Sequence, residues 1–264
     1  MKPRISVVQY LNTAPLVWGM LHGSERDCFD LSFTTPACCA EDLRAGRAEV
    51  GIIPSIELQR IEGLKVLAGL SIASKRTVRS VVLLSRVPLE RVRTVALDSS
   101  SRTSAALVEI LFRRFYRIAP VAHPSAPDPE AMLRDSDAAL LIGDPALVYA
   151  GDAQVFDLAA EWRRFTGLPF VFALWAVRNG AVAGDLKTLR LQFERSRDEG
   201  LAHVGEIAAE WGPRLGLEAD AVRIYLTENI DYTLDEENLS GLRLFYELAH
   251  DVGAIPALGE LDFA

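Results

Sequence analysis

Again and again in this chain a short apolar run stops at a turn of small polar residues, and a helical pattern starts directly after it. The run RISVVQY (residues 4–10) leads into TAPLVWGML. VGII (50–53) leads into PSIEL, and RVRTVALD leads into TSAALVEILFRRFY. AALLIGDPALVY (138–149) makes the same change within one segment. Strands that alternate with helices imply parallel sheet and right-handed crossovers. The order breaks near Pro88, and an apolar strand returns at 169–178, before a helical last third. The expected fold class is therefore α/β with two lobes. Residues 1–87 and 179–264 form the first lobe, with a helical C-terminal part, and 88–178 form the second. The chain crosses between them twice. Such a layout sets a ligand cleft where strand ends and helix N-termini converge.

Composition narrows the contents of that cleft. The 264 residues carry 36 acidic and 28 basic side chains, a net charge of -8. This balance argues against a nucleic-acid or anionic-membrane partner, which needs a basic face. Three cysteines, two of them adjacent, do not read as a disulfide framework. The four histidines are scattered and show no metal-ligand spacing, so no metal is expected. GxGxxG, GK[ST] and GxSxG patterns are absent, which leaves no support for a nucleotide, a flavin or a covalent serine; no cofactor is expected. The N-terminal stretch reads as a first strand, lacking the apolar core of a secretory signal. No run reaches the ~18 apolar residues of a membrane span. A cytoplasmic protein is the expectation, with monomer or homodimer left open.

Several strand-end turns are chemically suggestive. In QYLNTAPL, Asn12 falls where a strand gives way to a helix, with Tyr10 and Leu11 beside it. In GIIPSIEL, Ser55 opens a helix and Glu57 sits in its first turn. In KRTVRSVVLLS, Arg79 and Ser80 precede a buried strand. In LDSSSRTSAAL, Ser101, Thr103 and Ser104 crowd a helix start, where free N–H groups attract a carboxylate or phosphate. In LLIGDPAL, Gly143 permits close backbone approach and Asp144 is an acid–base candidate. In TGLPFVFALWAV, Phe170 and Phe172 share a strand face, and one of them is available to stack on a flat ligand. Each turn also has a plain structural reading, as helix cap, surface charge or core packing.

Five of these motifs in order, SVVQYLNTAPL, VGIIPSIEL, LDSSSRTSAAL, LLIGDPAL and TGLPFVFALWAV, resemble the chorismate dehydratases of the futalosine route to menaquinone, the MqnA family. The resemblance implies a periplasmic-binding-protein-like fold and removal of water from chorismate, with no redox cofactor. A proton leaves C3 and hydroxide leaves C4 as the ring becomes aromatic. It further implies two carboxylate subsites. Thr103–Ser104 is the candidate for one, and Ser55 or Arg79–Ser80 for the other. Asn12 and Ser80 are expected beside the reacting ring, and Asp144 near the C4 hydroxyl. Asp144, Glu57 and the enolpyruvyl carboxylate of chorismate itself are the candidate bases. A non-catalytic small-anion-binding protein of the same fold is the competing reading.

Overall fold

The computed structural model describes residues 2–182 and 184–264. Its strands are β1 (Arg4–Val8), β2 (Asp30–Thr34), β3 (Val50–Pro54), β4 (Leu64–Ser74), β5 (Val81–Ser85), β6 (Thr94–Asp98), β7 (Val121–Ser125), β8 (Ala138–Ile142), β9 (Gln154–Asp157) and β10 (Phe170–Arg178). They build two five-stranded sheets, ordered β2-β1-β3-β10-β4 and β7-β6-β8-β5-β9. Every residue of β3, β5 and β8 is buried. These are the near-continuous apolar runs expected of strands covered on both faces. The edge strands β2 and β7 are mostly exposed or half-buried.

Two expectations need correction. The sheets are mixed rather than parallel. β1 runs parallel to β2 and β3, and β6 to β7 and β8. β10 and β5 run antiparallel to their neighbours. The reason is that β5 and β10 are the strands the chain enters on crossing from the other lobe, so they arrive from the opposite side. The lobe boundaries at 87/88 and 178/179 also lie too late. β5 already belongs to the second sheet and β10 already to the first, so the crossings fall between β4 and β5 and just before β10. Pro88 punctuates the chain but follows a strand that has already changed sheets.

The helical tail comprises Leu186–Ala202, Val204–Leu215, Ala219–Ile224 with a π-helical turn Tyr225–Asn229, and Glu236–Asp251. The first two of these helices are divided at His203, and Pro213 lies inside the second, in its last turn. Asp235 caps the final helix by accepting from the N–H of Asn238. One stretch of the tail is fastened along the first crossing. Tyr232 O accepts from Ser71 N at 3.1 Å, Ala73 and Asp231 exchange backbone bonds at 2.9 and 2.8 Å, and Asn229 Nδ2 donates to Thr77 O at 3.1 Å. The crossing is thereby held from the start of the tail's last loop.

Candidate active site

A narrow cavity of about 60 Å³ lies between the sheets. Tyr10 and Asn12 supply part of its wall, Ser101, Arg102, Thr103 and Ser104 another part, and Gly143 and Phe172 the rest, with aliphatic side chains between. Pockets that bury a drug-sized ligand are typically ~300–1,000 Å³. This cavity is much smaller, so a ligand of chorismate's size enters only when the lobes part.

The polar wall has few internal claims on it. Ser101 is the N-cap residue of helix Arg102–Ile110, yet its side chain makes no capping bond. The first amides of that helix, including those of Thr103 and Ser104, therefore receive no side-chain cap. That is the condition under which a helix N-terminus takes an anion. Neither Asn12 nor Thr13 caps the helix that follows it. Thr13 Oγ1 instead donates to Asn12 Oδ1 at 3.2 Å and fixes the amide's orientation.

Ser80 lies deeper, at 0% exposure. Its backbone is pinned from three directions. Ser80 N donates to Val78 O at 2.7 Å across Arg79, whose φ is 61°. This is the strained, positive-φ form of γ-turn, costly for a residue with a Cβ. Asp157 takes the N–H groups of Val78 at 3.0 Å and Arg79 at 2.6 Å. Gly143 N donates to Ser80 O at 2.7 Å. The side chain is claimed as well, since Tyr225 OH donates to Ser80 Oγ at 2.8 Å. Tyr225 also interacts with the Asn12 amide, and burial holds its phenol far above the ordinary value. Tyr225 therefore stays protonated.

Elsewhere the lobes meet through charge and shape. Arg102 of the second lobe reaches Glu57 at 2.9 Å and Glu41 at 2.7 Å in the first. Arg44 and Arg60 also bind Glu57, at 2.8 and 3.0 Å. Glu57 is wholly buried, and its carboxylate is saturated by three guanidinium groups, so it is a structural anion and not a free base. Thr103 Oγ1 accepts from Ile56 N at 3.2 Å and lies 3.4 Å from Ser55 Oγ. The Tyr10 ring lies so close to Gly143 that a Cβ there would come within 2.5 Å of it.

The sequence-derived candidates divide accordingly. Tyr10, Asn12, Ser101, Thr103, Ser104 and Gly143 share the cavity wall. Leu11 and Ser55 are wholly buried behind it, and Ser55 Oγ is spent on Val171 O at 2.8 Å. The Arg79 side chain is exposed, away from the wall. Asp144 is half-buried outside the wall. Its Oδ1 accepts from Leu11 N at 3.0 Å, and burial raises the carboxyl to about 6. Phe170 packs into the core against Trp162 and Phe245, while Phe172 lines the cavity. The register of β10 against β4 shifts between Val171 and Ala173. That bulge at Phe172 re-aims its ring, which simple alternation does not foresee. Tyr225 was not among the candidates. It lies in the helical tail, 145 residues from Ser80, and no local pattern marks it.

Two mixed α/β lobes with a cavity between them define a periplasmic-binding-protein-like fold. The solved structures agree. A protein from Archaeoglobus fulgidus superposes with a TM-score of 0.76 at 21% identity, covering 96% of this chain and 98% of its own. The periplasmic aliphatic sulphonate-binding protein of Escherichia coli does so at 0.63 and 14%, covering 100% and 93%. Residues 3–251 match the family model described as menaquinone biosynthesis, and the chain belongs to that family. A curated relative, the chorismate dehydratase of Thermus thermophilus, is 30% identical over 94% of this chain and 95% of its own length.

Proposed function

We propose that the protein is a carbon–oxygen lyase that removes water from chorismate, giving 3-[(1-carboxyvinyl)oxy]benzoate for menaquinone biosynthesis. The observation that carries this reading is the cavity wall, where Asn12 and the uncapped helix start at Thr103–Ser104 line one interlobe space in a chain related to a chorismate dehydratase. The helix start binds one carboxylate of the substrate. Asn12, with Ser80 behind it, orients the second beside the ring.

In the reaction a base removes the C3 proton. The C–H electron pair becomes a ring double bond, the C4–O bond breaks, and the oxygen leaves as water after gaining a proton. Aromatisation supplies the driving force, so the protein's task is positioning and charge stabilisation. No carboxylate or imidazole is among the residues that line the cavity. This favours the substrate's enolpyruvyl carboxylate as the base, with Asp144 the one nearby protein alternative. Three free cysteines and a substrate of central metabolism favour the cytoplasm as the site of action.

The test is to incubate the purified protein with chorismate, follow the ultraviolet spectrum and identify the product by mass. Loss of one water without added metal or nucleotide is the expected result. Tight binding of chorismate with no product would sink the dehydratase reading and leave an anion-binding protein of the same fold.

A further inference from the structure

We propose that Tyr225 is a positioning residue that sets the hydrogen-bond polarity of Ser80, an inference that rests on the dehydratase reading. Tyr225 is 1% exposed and its phenol bonds Ser80, a group expected to act beside the substrate. Because burial keeps it protonated, it donates to Ser80 Oγ at 2.8 Å. A serine oxygen that accepts from a neighbour keeps its own proton for another acceptor. Ser80 is thus held as a donor. Thr13 donates to the Asn12 carbonyl oxygen, which leaves the Asn12 NH₂ group as a donor for ligand. Thr13 to Asn12 and Tyr225 to Ser80 make two directed pairs. Their free donors suit a carboxylate or a departing oxygen, and not a cation.

The surrounding backbone is consistent with a fixed part. Tyr225 opens the π-helical turn of a tail stretch whose later residues are bonded to the end of β4 and to the lobe crossing, Asp231 and Tyr232 to Ala73 and Ser71 and Asn229 to Thr77. The γ-turn at Arg79 and the Asp157 carboxylate secure Ser80 from the other side. A strained turn held by this many contacts, ending on one buried hydroxyl, fits a position where orientation matters.

Tyr225→Phe removes one oxygen and keeps the ring. The expected result is a fall in kcat of about tenfold with KM within about twofold, the scale of one lost hydrogen bond. In a Ser80→Ala background the same change should cost nothing further, because the group it orients is gone. Tyr232→Phe is the control. Tyr232 is equally buried, and its hydroxyl has no partner among the described residues, so its loss should leave turnover unchanged. A folded Tyr225→Phe protein with wild-type kcat would overturn the proposal, as would an equal loss with and without Ser80. If Tyr225→Phe does not fold, a fluorinated tyrosine at 225 keeps the bond and lowers the phenol's pKa. The turnover profile should then gain an alkaline limb, and a flat profile would count against a donor role. A wild-type protein that binds chorismate without converting it would instead overturn the dehydratase reading, and this inference with it.

Discussion

Two of the contacts between the lobes have opposite character. One is neutral and short-ranged, with Tyr225 OH donating to Ser80 Oγ beside the first crossing. The other is ionic, with Arg102 spanning to Glu57 and Glu41 while Arg44 and Arg60 share Glu57. Neutral bonds in a dry place are directional and hold a geometry. An ion pair between a part-exposed arginine and its carboxylates depends less on angle, and its outer portion is screened by water. A cavity too small for its ligand must open, and the two junctions meet that need differently. Opening that keeps the first as a floor requires the second to part and re-form.

The largest effect should come from the floor. Ser80→Ala removes the hydroxyl that accepts from Tyr225 and leaves the backbone contacts in place. Turnover of chorismate should fall by about 10²–10³, comparable to loss of one donor to a developing negative charge. Binding of a product-like dicarboxylate should weaken far less. A variant that loses affinity and turnover together would place Ser80 in ground-state binding and erase the contrast. At the ionic junction the leading effect should be on folding. Glu57→Gln leaves three arginines facing an amide in a wholly buried position. It should destabilise the protein by about 3 kcal/mol, read from denaturant midpoints. A midpoint within error of wild type would mean the carboxylate is not what holds the cluster.

The same contrast explains how far the sequence could be read. Asn12 and the helix start at 101–104 lie at strand-to-helix turns, and such turns are local patterns. Tyr225 completes the floor from the tail, and Arg102 completes the ionic junction from the other lobe. Both contacts depend on tertiary geometry that no short window contains. Glu57 in a first helical turn reads as an ordinary dipole partner, and only the fold brings three guanidinium groups around it. Phe172 replaces Phe170 at the wall because a bulge breaks the period of two. The direction of β5 and β10 was hidden for a similar reason, since apolar runs report burial but not which sheet a strand joins.

Asp144 tests where the reactive proton goes, with the smallest effect on the fold. Its carboxyl is bonded to Leu11 N and raised to about 6 by burial. The folded protein therefore binds this proton more tightly than the unfolded chain, whose carboxyl titrates near ~4. Across pH ~4 to ~6 the folded state carries the extra proton, so stability falls as pH rises through that window and stays lower above it. Asp144→Asn keeps an acceptor for Leu11 and removes the charge. It should gain about 1–2 kcal/mol over wild type at pH 8 and match it below pH ~4. If the substrate's carboxylate is the base, this stabilised variant still turns over chorismate at a rate within about fivefold of wild type. A fall of about 10²–10⁴ with the stability gain intact would make Asp144 the base, because that is what a lost proton acceptor costs. Stability and turnover thus separate the burial of Asp144 from any part it has in proton transfer, which neither measurement does alone.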